Sequence, residues 1–113
     1  EMLVGMVVDG TFGPVALVGA GGIDAEARAD VAVAPAPVTM DGAHRMLARL
    51  WTDLTTPGRT YSRPDVDALA GIISRMSAGF CAHASRIVEL EVNPLTWGDR
   101  GWRAVDALLR RAP

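Results

Sequence analysis

Residues 86–106, "RIVELEVNPLTWGDRGWRAVD", set the pattern for the whole chain. Apolar and polar side chains alternate in the first half of this stretch, as expected of a β-strand with one buried face. The polar positions Glu89, Glu91 and Asn93 share the opposite face. Proline cannot donate to a strand ladder, so the strand is expected to stop at Pro94. The stretch therefore predicts a sheet strand that presents acid and amide groups where it ends.

The turn "GDRG" after this strand leads into a second strand that carries Asp106. Residues two apart on a strand point the same way and stand about 7 Å apart, so Glu91 and Asn93 project together and Asp106 can reach the same region. Carboxylate and amide oxygens suit Mg²⁺, which takes one or two protein groups together with phosphate oxygens and water. The residues are compatible with a magnesium site, and an acidic strand face that is simply solvated is the alternative.

The remaining patterns predict an α+β fold. Two β-branched runs, 3–9 and 13–20, indicate an antiparallel pair, and 31–39 indicates a short third strand that ends in prolines. Amphipathic helices are predicted for 40–54 and for about 64–83, because their apolar residues recur at helical spacing. The tail after the last strand is predicted to fray or to be helical. We expect a mostly antiparallel sheet with the two helices packed on one face.

Composition limits the class of protein. Half of the 113 residues are apolar, so residues 1–113 fit one small domain. No apolar run approaches the about 18 residues of a membrane span, and no membrane partner is expected. The net charge of −2, without a basic cluster, argues against a nucleic-acid surface. Cys81 has no second thiol to pair with, which fits a reducing compartment and predicts a cytoplasmic protein.

Consecutive glycines follow the second predicted strand in "GAGGIDAEARAD", residues 19–30. Gly21 and Gly22 permit backbone conformations that other residues resist, and such a turn can direct N–H groups at an anion. A tight turn that needs a positive φ explains the same residues without any ligand. The glycines alone therefore leave both interpretations open.

Three segments resemble, in order and spacing, the C-terminal part of the ATP-grasp domain of the NDP-forming acyl-CoA synthetases. They are "LVGMVVDGTFGPVALVGAGGIDAEARADVAVAPAPVT", "SRPDVDALAGIISRMSA" and "IVELEVNPL…AVDA". This family includes ADP-forming acetyl-CoA synthetase and, more distantly, the β subunit of succinyl-CoA synthetase. "FGPVALVGAGG" and "ELEVNPL" are the specific parts, and the helices match mainly as apolar patterns. Where family members commonly have Asp-Pro, this chain has Asp9-Gly10, which predicts a looser turn.

The resemblance implies a chemistry for particular residues. The family converts an acid, CoA and ATP to acyl-CoA, ADP and phosphate through an acyl phosphate and a phosphohistidine, with Mg²⁺ assisting exchange with the nucleotide. By motif, Asn93 and Asp106 match the Mg²⁺ ligands and Glu91 matches their neighbour. The Gly21-Gly22 turn and Glu26 match a segment near the phosphate-transfer site, so we expect them on the nucleotide side.

The resemblance also implies partners. The nucleotide of an ATP-grasp fold lies between two subdomains, and its phosphate-binding lysines belong largely to the part that precedes this one; all eleven basic residues here are arginine. We therefore expect a fragment whose partners are the nucleotide and the CoA-binding and phosphohistidine domains of the same synthetase, inactive alone and able to form a homodimer. Neither His44 nor His83 resembles the phosphorylated histidine. The alternative is a non-catalytic ATP-grasp remnant for nucleotide sensing or assembly, possibly fused to an acetyltransferase.

Overall fold

The computed structural model describes residues 1–20, 31–54 and 63–113. Within these ranges the elements in chain order are β1 (Met2–Asp9), β2 (Gly13–Ala20), β3 (Val31–Pro35), α1 (Met40–Leu54), α2 (Arg63–Ala82), β4 (Ile87–Gly98), β5 (Gly101–Ala104) and β6 (Ala107–Arg111). The strands form one antiparallel sheet in the order β3-β2-β1-β4-β5, and β6 also pairs with β4. The predicted α+β fold is confirmed.

The central position of β4 follows from its three partners. β1 runs along one edge, with Gly5 opposite Glu91 and Val7 opposite Glu89. The other edge is shared, since β6 pairs with the first half of β4 and β5 pairs with the second half. The quoted stretch at 86–106 therefore touches every part of the sheet except β2 and β3.

The prediction that this strand stops at Pro94 is wrong, because β4 continues to Gly98. The register against β1 shifts between the Met2–Leu95 pair and the Val4–Val92 pair. Such a bulge accommodates a residue that cannot donate a ladder hydrogen bond. Pro94 still serves as an acceptor, since its carbonyl oxygen takes the N–H of Val105 at 3.0 Å.

The prediction that the C-terminal tail frays or is helical is also wrong. The tail forms β6, in which Leu108 lies opposite Glu91 and Leu109 opposite Leu90. The Arg110 guanidinium forms an ion pair with Glu89 of β4. Opposite charges on neighbouring strands stabilise the pairing of β4 with β6. The sequence "ALLRR" has no apolar–polar alternation from which a strand could be predicted.

Both helices cover one face of the sheet, and the core lies between the helices and that face. Alternate strand residues point into this core. Its fully or almost fully buried apolar residues are Met2, Val4, Met6, Ala16, Val18, Ala32, Val38, Ala43, Met46, Leu47, Leu50, Leu69, Ala70, Ile73, Phe80, Val92 and Leu95. The apolar stripes predicted for the helices are confirmed wherever their side chains are described. Neither helix in the described ranges is long and apolar enough to cross a membrane.

The segment between β3 and α1 is held by two serines of α2. The N–H of Val38 donates to Ser77 Oγ at 2.8 Å, and Ser74 Oγ donates to the Val38 carbonyl at 2.8 Å. Ser77 has no exposed surface, so its hydroxyl satisfies a backbone donor that water does not reach. Thr39 then caps α1, because its Oγ1 accepts the N–H of Gly42 at 3.0 Å.

The turn between β1 and β2 is tied by the side chain of Asp9. Its Oδ2 accepts the N–H groups of Thr11 and Phe12, each at 2.8 Å. The Phe12 N–H and then the Thr11 N–H lower the pKa of the Asp9 carboxyl from its ordinary value of 3.8. Gly13 follows at a φ of 74°, a conformation that glycine adopts without strain. Hydrogen bonds to the carboxylate therefore fix the turn that Asp9-Gly10 had predicted to be loose.

Candidate functional site

The sheet face opposite the helices has two different halves. Over β1, β2 and β3 its side chains are apolar, because these strands present the residues that alternate with the buried ones. They are Leu3, Val7, Val15, Leu17, Val31 and Val33. They are half-buried or exposed, and Val31 and Val33 are 52% and 47% exposed. We call this surface the apolar half.

Over β4, β5 and β6 the same face is mostly polar. Its cross-strand positions are Glu89 with Arg110, Glu91 with Leu108, Asn93 with Asp106, and Thr96 with Arg103. We call this set the polar row. It follows β4 from one end of the sheet toward the other and lies beside the apolar half, since Gly5 of β1 is opposite Glu91.

The polar row contains a cleft of about 360 Å³ lined by Glu91, Asn93, Asp106, Ala107 and Leu108. The Asn93 N–H donates to the Asp106 carbonyl at 3.1 Å, which holds these two residues side by side. Asp106 Oδ1 also accepts the N–H of Ala107 at 2.9 Å. The structure therefore brings together the two acids and the amide, as predicted. The prediction that a second strand carries Asp106 is wrong, because Asp106 lies between β5 and β6.

We call this cleft the metal cleft, after the magnesium site predicted for its residues. The polar side chains that line it offer oxygen donors. Asp106 is exposed, and Asn93 and Glu91 are half-buried. An ionised carboxylate has about four lone-pair positions, so Asp106 keeps most of its acceptor capacity after its bond to Ala107. Asn93 adds a neutral amide oxygen, and Glu91 adds a second carboxylate. These groups can bind a hard cation while the open side of the cleft admits a ligand.

The donor set fits magnesium better than a metal held in a protein cage. In the described ranges no group of three or more His, Cys, Asp or Glu side chains is placed to hold a metal ion. Structural zinc and high-affinity calcium sites need more protein ligands than this cleft offers. Magnesium is commonly held by one or two carboxylates together with phosphate oxygens and water. Glu91, Asn93 and Asp106 fit that arrangement.

The other predicted nucleotide-side residues, the Gly21-Gly22 turn and Glu26, lie outside the described residues. Their starting point is nevertheless defined. β2 ends at Ala20, which is opposite Met2, and Met2 is opposite Leu95. Adjacent strands are about 4.8 Å apart, so the chain leaves β2 about 10 Å from β4. β2 therefore ends near the part of β4 that lines the metal cleft.

Histidine and cysteine take no part in this cleft. His44 Nε2 lies 3.1 Å from Asp67 Oδ1 and links α1 to α2. His83 is exposed just beyond α2. Burial raises the pKa of the Cys81 thiol, which lies within α2. His44, His83 and Cys81 therefore contribute no ligand to the metal cleft.

Sequence reasoning missed four members of the polar row, Thr96, Arg103, Leu108 and Arg110. The last two lie on β6, and the tail was not predicted to be a strand. A signal was available in the spacing, because Arg110 follows Asp106 by four residues and a strand directs every second residue to the same face. Without knowledge that β4 has a free edge there, the same spacing also fits one turn of helix.

Comparisons with known proteins find relatives over almost the whole chain. Residues 1–110 match the family model of the ATP-grasp domain. The chain is 33% identical over 107 residues to ADP-forming acetate–CoA ligase I of Archaeoglobus fulgidus, covering 94% of this chain and 16% of that protein. It is 32% identical over 108 residues to the β subunit of ADP-forming acetate–CoA ligase I of Pyrococcus furiosus, covering 95% and 46%. The chain therefore spans less than half the length of these relatives.

A solved structure shows the same fold. It is the dinucleotide forming acetyl-coenzyme A synthetase 1 of Ca. Korarchaeum cryptofilum in complex with coenzyme A and Mg-AMPPCP, with a TM-score of 0.85 and 26% identity over 99% of this chain and 53% of that one. The family match runs from β1 into β6 and includes the metal cleft and Gly21-Gly22. The chain belongs to the ATP-grasp domain family.

Proposed function

We propose that this chain forms the Mg-nucleotide side of the site in an ADP-forming acyl-CoA synthetase. Such a ligase converts an acid, CoA and ATP to acyl-CoA, ADP and phosphate through an acyl phosphate and a phosphohistidine. The observation that carries the proposal is the metal cleft, where Glu91, Asn93 and Asp106 meet on an open sheet face. The ADP-forming ligases among the relatives and the Mg-AMPPCP held by the structural neighbour support it.

Within this proposal Asn93 and Asp106 hold Mg²⁺ through their amide and carboxylate oxygens. When bound, Mg²⁺ neutralises phosphate charge and orients the nucleotide for phosphoryl transfer. The protein fixes the two ligands in advance through the bond from the Asn93 N–H to the Asp106 carbonyl and the bond from the Ala107 N–H to Asp106 Oδ1. Ligands held by strand pairing need little reordering when a nucleotide arrives.

Glu91 serves a supporting role in this proposal. Its side chain lines the same cleft two positions before Asn93, about 7 Å along the strand. We therefore assign Glu91 to the positioning of metal-bound water and nucleotide.

The phosphate side of the nucleotide falls to the segment after β2. Consecutive glycines at Gly21-Gly22 can present backbone N–H groups to a phosphate oxygen. Support for this part of the proposal comes from the end of β2 at Ala20, which is about 10 Å from β4 by strand spacing. Glu26 follows within the same segment and is proposed to act beside it.

The whole reaction needs partners in this proposal. The chain covers 46% of one ligase subunit and 16% of another ligase. We assign CoA binding and the phosphohistidine to other domains of the same synthetase, and we place that synthetase in the cytoplasm. The apolar half of the open face is the surface expected to meet the rest of the ATP-grasp fold, or a second copy in a homodimer. The isolated chain is not expected to turn over.

The test is a product assay on the full-length protein. It is incubated with ATP, Mg²⁺, CoA and a panel of short acids, and the nucleotides are separated by chromatography. Formation of ADP that requires both an acid and CoA, without AMP, is the expected result. AMP as the product contradicts an NDP-forming synthetase. Mg-nucleotide binding without any turnover favours the alternative, a remnant that senses nucleotide or supports assembly.

A further inference from the structure

A second cleft lies at the tip of the β4–β5 hairpin. It encloses about 290 Å³ and is lined by Thr96, Gly98, Asp99, Arg100, Gly101 and Arg103. None of these residues lines the metal cleft. We call it the hairpin cleft.

The hairpin cleft opens on the same sheet face as the metal cleft. The neighbouring positions Trp97 and Trp102 point the other way, since their rings pack edge to face at 5.3 Å and Trp102 Nε1 donates to the Asp65 carbonyl of α2 at 2.8 Å. Side chains alternate along a strand, so Thr96 and Arg103, which are opposite each other, point away from the helices. They continue the polar row beyond the metal cleft.

The charges in the hairpin cleft favour an anion. It carries two guanidinium groups and one hydroxyl against the single carboxylate of Asp99. Among the described residues Arg110 has an acidic partner in Glu89, whereas no such pair forms at Arg100 or Arg103. Guanidinium groups bind phosphate through two parallel hydrogen bonds and are the usual choice where that geometry matters.

Two glycines keep the hairpin cleft open. Gly98 and Gly101 are opposite each other on the paired strands. Gly101 has a φ of 91°, a backbone conformation that residues other than glycine rarely adopt. A Cβ atom placed at Gly98 would meet nothing within 4 Å. Free space therefore lies beside the two arginines, where a ligand atom can approach the backbone.

The distance from the metal cleft makes this a separate subsite. Thr96 follows Asn93 by three residues, or about 10 Å along an extended strand. Phosphate oxygens bound to a Mg²⁺ ion lie about 2.1 Å from it. A phosphate inside the hairpin cleft is therefore a different group from one whose oxygens share a Mg²⁺ ion with Asn93 and Asp106.

We propose that Thr96, Arg100 and Arg103 bind a second phosphate group beside the Mg-nucleotide. The proposal rests on the proposed function for the identity of the ligand, because the free reactants and products of that reaction carry two phosphate dianions besides the nucleotide and the covalent intermediates. One is free inorganic phosphate, and the other is the 3′-phosphate of CoA. Both present the same chemistry to the guanidinium groups, and the experiment distinguishes them.

The test measures binding to the full-length protein by calorimetry, with the metal cleft first saturated with Mg-ADP. Inorganic phosphate, CoA and dephospho-CoA are titrated into the wild type, Arg103→Gln and Arg103→Lys. Arg75→Gln is the matched control, because Arg75 is an exposed arginine on α2. The glutamine variant is expected to bind one of the phosphate ligands about tenfold more weakly. The lysine variant keeps the positive charge but lacks the two parallel N–H donors of the guanidinium group. It is expected to recover part of that loss.

Each outcome decides the proposal. A loss confined to inorganic phosphate identifies free phosphate as the ligand, and a loss of the difference between CoA and dephospho-CoA identifies the 3′-phosphate. If neither titration changes in Arg103→Gln, the proposal is overturned. An equal loss of Mg-ADP affinity in Arg103→Gln also overturns it, because that result would place Arg103 in the nucleotide site. If the wild type fails to bind Mg-ADP, the proposed function fails separately, and the phosphate titrations without nucleotide still test the subsite.

Discussion

On the helix-covered face of the sheet β1 buries Met2, Val4 and Met6 almost completely, whereas on the opposite face the same strand presents Leu3 and Val7 half-exposed. Alternate residues of one strand thus lie on opposite faces of the sheet, one set buried in the core and the other on the open face. The covered face contributes the burial that stabilises the fold. The open face keeps surface available for a ligand and for another domain.

The same contrast divides β4. Val92 and Leu95 belong to the core, while Glu91 and Asn93 line the metal cleft. Their side chains leave the same strand in opposite directions, so a change on one face need not disturb the other. Substitutions can therefore separate the stability of the chain from its proposed chemistry.

The largest expected effect is on the covered face. Leu50 of α1 is 5% exposed, and Leu50→Ala is expected to lower the free energy of unfolding by about 2–5 kcal/mol through the cavity it leaves. Activity per folded molecule of the full-length protein should stay near the wild-type value. Urea denaturation followed by fluorescence measures the first quantity, and a product assay normalised to folded protein measures the second.

Met40→Ala is the matched control for Leu50→Ala. Met40 lies on the same helix but is 44% exposed, so its truncation should cost under about 1 kcal/mol. Equal losses for the two variants would show that α1 does not pack as the structure has it. A fall in activity per folded Leu50→Ala molecule would show instead that the two faces are coupled.

The second effect is on the open face. Asp106→Asn keeps a carbonyl oxygen to accept the Ala107 N–H but removes the charge that the proposed Mg²⁺ site needs. We expect the full-length protein to lose about a hundredfold or more in activity, because charge neutralisation by the metal contributes several kcal/mol to phosphoryl transfer. Stability should change by less than about 0.5 kcal/mol, as for other exposed positions. Steady-state kinetics and denaturation on the same preparation measure both.

Asp41→Asn provides the control for the loss of a carboxylate, because Asp41 is exposed in the first turn of α1 on the far side of the sheet. It should leave activity unchanged. An unchanged rate for Asp106→Asn would remove Asp106 from the mechanism. A large loss of stability in that variant would show that the open face also carries the fold.

Local patterns were sufficient for most elements and for the metal cleft, but not for the ends of the strands. The alternation at Glu89, Glu91 and Asn93 placed those side chains on one face, and helical spacing gave both apolar stripes. The course of β4 beyond Pro94 and the strand at Ala107–Arg111 depend on pairing between segments distant in sequence. Local propensity carries no information on which strand edge is free, so tertiary pairing decided both.

The third effect returns to the covered face at a polar contact. In Ser77→Ala the N–H of Val38 loses its acceptor, and both residues are buried. An unsatisfied buried donor costs about 1–3 kcal/mol. Ser74→Ala should cost less, because the bond from Ser74 Oγ to the Val38 carbonyl is only partly buried, so water can take its place. Urea denaturation of both variants checks the order, and a larger loss for Ser74→Ala would contradict the assignment of Ser77 as the acceptor that holds this segment.

The smallest effect concerns the β1–β2 turn, which belongs to neither face. Two backbone N–H donors, those of Phe12 and Thr11, lower the pKa of the Asp9 carboxyl below 3.8. A group whose pKa falls on folding contributes stability above its unfolded pKa and loses it as the pH drops through the folded value. Asp9→Asn retains an acceptor but does not titrate. The wild type should therefore be slightly more stable than Asp9→Asn near neutral pH, and the difference in stability should vanish on acidification below pH 3.8.

Urea midpoints of the two proteins measured from neutral to acidic pH check this prediction. A difference that persists at low pH would assign the contribution of Asp9 to the shape of its side chain rather than to its charge.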